Sequence, residues 1–341
     1  MKKLVLTGFH HLELVEADIP TPEPGQAIIR IKYAGICGSD LHVLEGLHPT
    51  AKPPLVMGHE ACGELYAIND ERTDIQVGDK VCCHTVKPCN TCEGCQTGRE
   101  NLCTSVKIMG TSLDGVFTQY MLVDADRLIR FDEKVDEKIA ALVEPLTVGV
   151  HDLRRSGFQA GESVFISGAG PIGLIIGIMA KFSGASCVVL SEIDPIRIRI
   201  AREMGFTVVS PTSSTFEADC TALSPDGFDN AFEITSVQSS FDVCAHRLRR
   251  GGTLVQVGMP PAGRLFQTDI NKFIYNECNL KGVRHHTIQD MQCAARIINS
   301  GSLNEQLSKL VSAIYPMEQY AEAFRRAKED KSMLRVLIDF T

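Results

Sequence analysis

The chain has 341 residues, of which 44% are hydrophobic and 22% are charged. Because this length exceeds what one ordinary hydrophobic core supports, the sequence predicts two domains. The formal net charge of -8, with no basic run in the sequence, argues against nucleic acid and membrane surfaces as partners. No stretch approaches the roughly 20 apolar residues of a membrane span, so a cytoplasmic protein is expected.

Short strand-like segments, separated by Gly and Pro, fill the chain up to about residue 148. The N-terminal sequence MKKLVLTGFHHLEL lacks the apolar run and cleavage site of a signal peptide, so it is interpreted as a first strand. Enrichment in β-branched residues predicts further strands in AIIRIKYAGIC (27–37), VGDKV (77–81) and LDGVFTQYMLV (113–123).

Cysteine, histidine and acidic side chains recur in three motifs of this region. The motifs are GICGSDLH (35–42), MGHE (57–60) and, later, VEPLTVGVH (143–151). Cys37, His59 and a carboxylate from Glu60 or Glu144 would form a mixed sulfur, nitrogen and oxygen ligand set with one exchangeable position. This is the requirement of a catalytic zinc, which lowers the pKa of an alcohol oxygen toward neutrality and so favours loss of a hydride from its carbon.

The proton of such an alcohol must also leave the site. Ser39, two residues after Cys37, and His42, three residues further on, are candidates to relay it to solvent. Each of these residues alone could be an ordinary loop residue. Their occurrence together, in a chain that also has the glycine motif G-x-G-x-x-G of dinucleotide-binding proteins at residues 168–173, favours the catalytic interpretation.

A second cysteine motif, CNTCEGCQTGRENLC, follows at residues 89–103 with the spacing C-x2-C-x2-C-x7-C. In a reducing cytoplasm such a cluster indicates a metal site rather than disulfides. Four thiolates complete a tetrahedral Zn²⁺ and leave no position open, so this zinc would be structural and would pin a lobe of about residues 84–104. The predicted ligands are Cys89, Cys92, Cys95 and Cys103. The remaining cysteines are interpreted as buried apolar residues, and His84, without a partner at ligand spacing, is assigned no chemistry.

From about residue 150 the pattern changes to apolar strands that alternate with helix-length segments, which is typical of a parallel, doubly wound sheet. The predicted strands are SVFIS (163–167), CVVLS (187–191), TVVS (207–210), DNAFEI (229–234) and TLVQVG (253–258). The last sixty residues add helical segments and a final strand, LRVLIDF.

A glycine loop follows the first of these strands and opens a helix, in the pattern G-x-G-x-x-G. Its residues, predicted to bind the cofactor, are Gly168, Gly170, Pro171, Ile172 and Gly173. The glycines permit a tight turn, close approach of a pyrophosphate, and packing of the helix on the strand. Glu192 follows Gly173 by 19 residues and would bind the adenosine ribose, which favours NAD over NADP. The nearby Arg197 slightly weakens this preference for NAD.

The ordered set CGSD, GHE, the four-cysteine loop, VEP and GAGPIG resembles the zinc-dependent medium-chain dehydrogenase/reductase superfamily over essentially the whole chain. Within it, EPLTVGVH is similar to the polyol dehydrogenase branch, which includes sorbitol, galactitol-1-phosphate and threonine dehydrogenases. The resemblance implies an α/β protein in which residues 1–149 and 285–341 form a GroES-like, β-rich catalytic domain. Residues 150–284 would form a Rossmann NAD-binding domain with a doubly wound parallel sheet.

The resemblance also implies zinc ligands. Cys37 and His59 would bind the catalytic ion together with Glu60 or Glu144, one glutamate directly and the other through water or intermittently. In this branch the glutamate of VEP replaces the second zinc-ligating cysteine of simple alcohol dehydrogenases. Animal sorbitol dehydrogenases lack the cysteines of the structural site, so the chain is expected to be nearer to bacterial relatives.

Further roles follow from the same resemblance. Ser39 and His42 match the proton-relay positions of the family. Val257 and Gly258, in VGMP, match the backbone that holds the nicotinamide carboxamide. Relatives form homotetramers or dimers, so a homo-oligomer is expected.

The segment GVRHHT (282–287) departs from sorbitol dehydrogenases, which have Arg followed by Tyr. Arg284, His285 and His286 could therefore meet a phosphate or carboxylate of the substrate. A solvated basic turn at a subunit edge is an equally good interpretation. An anionic sugar derivative thus stays open as a substrate.

Together these features predict a zinc-dependent enzyme that oxidises a secondary alcohol of a polyol or sugar-derived substrate to the ketone with NAD⁺, with two zinc ions per chain. The alternatives are a threonine-type, sugar-phosphate or sugar-acid dehydrogenase of the same branch, and a non-catalytic nucleotide-binding protein on this fold.

Overall fold

The computed structural model describes residues 1–261 and 263–341. The chain forms two compact units, which we call unit 1 (Met1–Thr147 with His285–Thr341) and unit 2 (Val148–Arg284). Within the described ranges no helix is both long enough and apolar enough to cross a bilayer.

Unit 1 begins with short strands and short helices. In chain order they are β1 (Lys2–Gly8), β2 (His11–Glu16), β3 (Gln26–Gly35), α1 (Gly38–Leu44), β4 (Leu55–Val56), β5 (Glu60–Asn69), β6 (Lys80–Cys83), β7 (Val86–Lys87), α2 (Glu93–Gln96), β8 (Lys107–Ile108), β9 (Tyr120–Asp124), β10 (Leu128–Arg130), α3 (Glu137–Ala140) and α4 (Val143–Ser156). Single 3-10 turns lie at Glu100–Leu102 and Ala125–Arg127. The unit boundary falls inside α4.

Unit 2 alternates strands with helices. Its elements are β11 (Ser163–Ser167), α5 (Pro171–Phe182), β12 (Cys187–Ser191), α6 (Pro195–Glu203), β13 (Thr207–Val209), α7 (Phe216–Leu223), β14 (Phe228–Glu233), α8 (Gln238–Arg247), β15 (Leu248–Gln256), α9 (Ile270–Tyr275) and β16 (Asn279–Gly282). The strands pair in parallel in the order β13-β12-β11-β14-β15-β16, which is the order of a doubly wound Rossmann sheet. The central strand β11 is buried along its whole length, as expected when helices cover both faces.

The C-terminal segment returns to unit 1. It contributes α10 (Ile288–Ser300), α11 (Asn304–Ser308), β17 (Val311–Pro316), a 3-10 turn (Met317–Gln319), α12 (Tyr320–Glu329) and β18 (Arg335–Asp339). Strand β18 pairs antiparallel with β3 and extends the sheet β10-β6-β5-β3-β18-β17. The apolar faces of these strands, including Ile29, Ile31, Leu65 and Ile338, form one buried cluster.

The predicted fold class, a Rossmann sheet with a GroES-like β-rich domain, is confirmed. Three local predictions were wrong. The strand predicted at 77–81 begins only at Lys80, because the chain turns at Val77 and Gly78, where Gly78 has φ +94°. The N-terminal residues form a hairpin rather than one strand, because the chain turns at Phe9 and His10, where His10 has φ +66°. Of the predicted strand 113–123 only the end at β9 is a strand, because Gly115 and Phe117 donate their N–H groups to the carbonyls of the Val56–Met57 segment.

Candidate zinc and dinucleotide sites

The register of two strands in unit 1 brings the first metal motif together. Strands β3 and β5 run antiparallel, with Gly35 opposite Glu60. Cys37 lies just beyond the end of β3, and His59 directly precedes β5, so both residues lie at the same end of these two paired strands. Strand β18 pairs with β3 at this end and adds Arg335.

Ligand atoms of Cys37, His59 and Glu60 lie within 4.8 Å of one another. Both carboxylate oxygens of Glu60 are buried without a hydrogen-bond partner among the described residues, although Arg335 Nη1 lies 3.0 Å from Oε1. Buried acceptors without a hydrogen bond are rare, and a bound ion is one explanation for them. The set of one sulfur, one nitrogen and one oxygen ligand therefore fits zinc with a position left for substrate or water.

Electrostatics also favour a divalent cation at this point. Burial raises the pKa of Cys37, but its hydrogen bond with His59 and the charges of His59 and Arg335 bring that pKa well below its usual range. Burial raises the pKa of Glu60 well above its usual range, against the opposing charge of Arg335. Burial thus opposes the ionised form of Glu60, and a divalent ion beside the Cys37 thiolate would stabilise that form.

Glu144 lies in the first turn of α4. Among the described residues, it does not belong to the group of Cys37, His59 and Glu60, whose ligand atoms lie within 4.8 Å of one another. Its charge nevertheless acts on both Cys37 and His59. Burial raises the pKa of Glu144, but a hydrogen bond from His286 and the charge of His59 outweigh this effect and hold the pKa at about 2. Glu144 is thus an ionised carboxylate beside the ligand set.

Asp40 contacts two of the candidate ligands, Cys37 and His59. This role is not among those predicted from the sequence. Its carboxylate accepts the Cys37 N–H at 2.8 Å and the Gly58 N–H at 3.2 Å, and its Oδ1 lies 3.6 Å from His59 Nδ1. A carboxylate at Nδ1 fixes the orientation of the ring and would leave Nε2 as the nitrogen that can bind a metal. The signal in the sequence is an acid three residues after Cys37 at a helix start, a spacing typical of capping boxes.

The predicted relay residues lie on α1. Ser39 Oγ is 3.4 Å from His59 Nε2 and half-buried, whereas His42 is exposed one turn further along the helix. Ser39 therefore lies beside the candidate ligands, and His42 lies at the solvent-exposed surface.

The four predicted structural ligands also converge. The sulfurs of Cys89, Cys92, Cys95 and Cys103 lie within 4.8 Å of one another. Two of the separations are 3.9 Å (Cys89 to Cys95) and 3.4 Å (Cys92 to Cys95). A tetrahedral zinc with Zn–S bonds of about 2.3 Å needs sulfurs about 3.8 Å apart, so this cluster fits the ion. A hydrogen bond from Thr91 helps to hold the pKa of Cys89 at about 5.

The glycine loop of unit 2 lies between β11 and α5, where the strand order of the sheet reverses. Gly168 has φ +114°, and a Cβ on Gly173 would lie 2.1 Å from the Gly168 carbonyl oxygen, so neither position accepts another residue without strain. Gly170 is the N-cap of α5 and is followed by Pro171 and Ile172. Amides at the start of this helix are available to a pyrophosphate.

Glu192 is buried at the end of β12 and accepts the Ala169 N–H at 2.9 Å and those of Ile193 and Asp194. Because a carboxylate has about four lone-pair positions, it can still accept from a ribose hydroxyl. The Arg197 guanidinium lies near Gly170, at 3.8 Å from the position of a Cβ there. The amides of Val257 and Gly258 both donate to the Glu233 carbonyl, which fixes the course of the backbone after β15.

The three basic residues of the GVRHHT segment differ in environment. Arg284 is exposed and His285 is half-buried with φ +52°. His286 is only 2% exposed, and its Nε2 lies 3.1 Å from Glu144 Oε1. For His286, neither the anion-binding interpretation nor that of a solvated basic turn is therefore correct.

A Rossmann unit with a dinucleotide loop and a β-rich unit with an open mixed-ligand metal site define a zinc-dependent, nucleotide-linked dehydrogenase. Comparison with known proteins agrees. Residues 23–133 match the alcohol dehydrogenase GroES-like domain, and residues 171–300 match the zinc-binding dehydrogenase family. The chain belongs to the zinc-dependent medium-chain dehydrogenase/reductase superfamily, in its polyol dehydrogenase branch, and is an NAD(H)-linked zinc enzyme.

The similar proteins include dehydrogenases of sugar acids and polyols. L-idonate 5-dehydrogenase (NAD(P)(+)) of Escherichia coli is 33% identical, with 98% of each chain covered. A probable D-xylulose reductase A of Aspergillus clavatus is 32% identical, over 96% of this chain and 94% of the relative. The crystal structure of L-idonate 5-dehydrogenase from Escherichia coli superposes with a TM-score of 0.89 at 30% identity, over 99% of this chain and 97% of that one.

Gly35→Ala tests whether the strand register serves the metal. A Cβ at residue 35 would lie 2.5 Å from Glu60 Oε2 and would displace the carboxylate. Disturbing a metal site in this way typically costs about 10–100-fold in metal affinity or activity. Zinc content after dialysis against a chelator is expected to fall by one ion per chain. Gly38→Ala, with open space around its Cβ position, is the control and should retain both ions.

Cys95→Ser tests the four-cysteine site. Zinc content measured by elemental analysis is expected to fall from two ions per chain to one, with a lower Tm because a structural zinc contributes folding free energy. Cys293→Ser, a half-buried cysteine on α10 outside both clusters, should change neither quantity. A Cys95→Ser protein with both zinc ions and an unchanged Tm would contradict the assignment.

Proposed function

We propose that the protein oxidises a secondary alcohol of a neutral polyol or of a sugar acid to the ketone, with reduction of NAD⁺ to NADH and release of one proton. The observation that carries this proposal is the convergence of Cys37, His59 and Glu60 at the same end of β3 and β5. Among the described residues, Glu60 Oε2 is buried without a hydrogen-bond partner and Oε1 is ion-paired with Arg335. The names of the similar proteins support the substrate class.

In this proposal unit 1 is the catalytic domain and unit 2 the NAD-binding domain of a cytoplasmic enzyme. Cys37, His59 and Glu60 would hold the catalytic zinc directly, and Glu144 would act from beside the set, through water or intermittently. The zinc supplies a Lewis acid that lowers the pKa of a substrate hydroxyl. The glycine loop and Glu192 would hold NAD⁺, with Glu192 toward the ribose, and NAD⁺ would supply the hydride acceptor.

The chain's own residues handle the proton. The Ser39 hydroxyl, beside His59, accepts the proton of the substrate hydroxyl as the hydride leaves the carbon, and passes its own proton on toward His42. His42 is exposed and releases it to water. Arg335 offsets the charge of Glu60, so that the carboxylate is tolerated in a buried position. Arg284 is the candidate residue for contact with the substrate.

A substrate panel tests the proposal. Zinc-loaded protein with NAD⁺ is assayed by NADH absorbance with sorbitol, xylitol, L-idonate, L-galactonate, galactitol 1-phosphate and L-threonine. Neutral polyols or sugar acids are expected to give the highest kcat/KM. Exclusive turnover of a phosphorylated substrate or of threonine would contradict the proposed substrate class, and no turnover of any alcohol would contradict the proposed reaction.

Cys37→Ser separates chemistry from cofactor binding. Turnover is expected to fall below detection, because a hydroxyl replaces the thiolate ligand. NAD⁺ affinity, measured by calorimetry, should stay near the wild-type value, because the glycine loop belongs to unit 2 whereas Cys37 belongs to unit 1. Full activity in this variant would exclude the proposed zinc mechanism.

The proposal includes assembly into a homo-oligomer through unit 2. Strand β16 is the outermost strand of its sheet in the described chain. The chain around it exposes large apolar side chains: Ile270, Ile274, Tyr275 and Leu280, each at least half exposed. An open strand edge beside apolar side chains favours pairing with another chain. Two copies related by a two-fold axis would pair their β16 edges antiparallel.

Leu280→Lys tests this interface. Two like charges brought together at a two-fold axis are expected to shift the protein toward monomer, as measured by sedimentation velocity. Val77→Lys, an equally exposed apolar position in a loop of unit 1, is the control and should leave the mass unchanged. An unchanged assembly in Leu280→Lys would place the interface elsewhere.

A further inference from the structure

Four buried side chains of unit 1 form a continuous row that ends at Glu144. Glu144 Oε1 lies 3.1 Å from His286 Nε2, and His286 Nδ1 lies 3.2 Å from His84 Nε2. His84 Nδ1 lies 3.2 Å from Arg127 Nη1. The four side chains are between 1% and 8% exposed, so the row is shielded from water throughout.

The chemistry of Arg127 fixes the direction of every hydrogen bond in the row. A guanidinium only donates, so His84 Nδ1 must be the acceptor, and the ring proton of neutral His84 is on Nε2. That proton is donated to His286 Nδ1, which places the proton of His286 on Nε2, facing Glu144. The row thus runs one way, from a permanent donor to an ionised carboxylate. Burial lowers the pKa of His84 well below its usual range, which keeps the ring neutral as this arrangement requires.

The far end of the row is attached to the four-cysteine lobe. Glu100 lies in the 3-10 turn between Cys95 and Cys103, and its Oε1 accepts the Ile288 N–H at 2.7 Å. The same oxygen lies 3.5 Å from Arg127 Nη1. Ile288 is the first residue of α10, directly after the N-cap Thr287. Glu100 therefore holds both Arg127 and the backbone that carries His286.

We propose that His286, supported by His84 and Arg127, is a positioning residue that fixes the orientation of Glu144, and that Glu100 makes this orientation depend on the four-cysteine lobe. This inference rests on the proposed role of Glu144 beside the catalytic zinc. Side chains that hold a ligand or near-ligand in one orientation tune metal affinity and activity. The lobe would then do more than stabilise its own loop, because it also sets the geometry of the catalytic carboxylate.

The row is not a second exit for the substrate proton. Arg127 stands at its outer end, and a guanidinium does not release its proton in a protein. Its function is therefore to hold Glu144, and proton release remains with Ser39 and His42.

His286→Gln and His286→Leu test the positioning role in the zinc-loaded enzyme. Gln keeps an N–H that can reach Glu144, whereas Leu keeps only the volume. His286→Leu is expected to lower the affinity of the catalytic zinc, measured by competition with a chelator, by about 10–100-fold. His286→Gln should retain most of that affinity even if both variants lose the same amount of Tm. Equal losses in the two variants, or no loss in either, would overturn the proposal.

Glu100→Ala tests the link to the lobe, with Glu93→Ala as the matched control. Glu93 lies in the same lobe, but its side chain is 88% exposed. Its Oε1 lies 3.9 Å from Arg99 Nη2. Glu100→Ala is expected to weaken the catalytic zinc while the four-cysteine zinc is retained, and Glu93→Ala should behave as wild type. Catalytic zinc of unchanged affinity in Glu100→Ala would overturn the link.

Nitrogen-15 NMR of the histidine rings tests the row without reference to turnover. His84 and His286 are both expected to carry a ring proton on Nε2, because Nδ1 of each ring accepts a hydrogen bond in the row. A proton on Nδ1 of either ring would overturn the assigned direction. Because this measurement needs no substrate, failure of the substrate panel and failure of the row give different results.

Discussion

The antiparallel register of β3 and β5 is the constraint on which the proposed catalytic zinc site depends. It sets Gly35 opposite Glu60, and it places Cys37 and His59 at the same end of these two strands. Because Gly35 has no side chain, the Glu60 carboxylate can occupy the space above it. A slip of one residue would turn these side chains to the other face and separate the ligands.

The sequence was most informative where function depends on residues close together along the chain. The glycine loop, the four cysteines and the residues flanking β3 and β5 could be recognised because the spacing itself carries the chemistry. The parallel, doubly wound sheet likewise follows from alternating apolar strands and helices, whereas the order of its strands does not. These parts of the molecule needed only local pattern and composition.

The contacts that support the site could not be predicted, because they join distant segments. His84 and His286 are 202 residues apart in the sequence, and His286 and Glu144 are 142 apart. Arg335 was treated as part of an ordinary final strand, yet the register of β18 with β3 brings it to Glu60. Such pairings depend on tertiary register, which no local period encodes. Asp40 is the exception, since its spacing from Cys37 was a usable signal.

The return of the C-terminal segment to unit 1 has a consequence for synthesis on the ribosome. Glu60 is made before unit 2, and its counter-ion Arg335 is made only after unit 2. Until then β3 lacks its β18 neighbour and the buried carboxylate lacks a compensating charge, while unit 2 already has its full sequence. Unit 2 can therefore fold first, and the buried carboxylate gains its counter-ion only once β18 has been made.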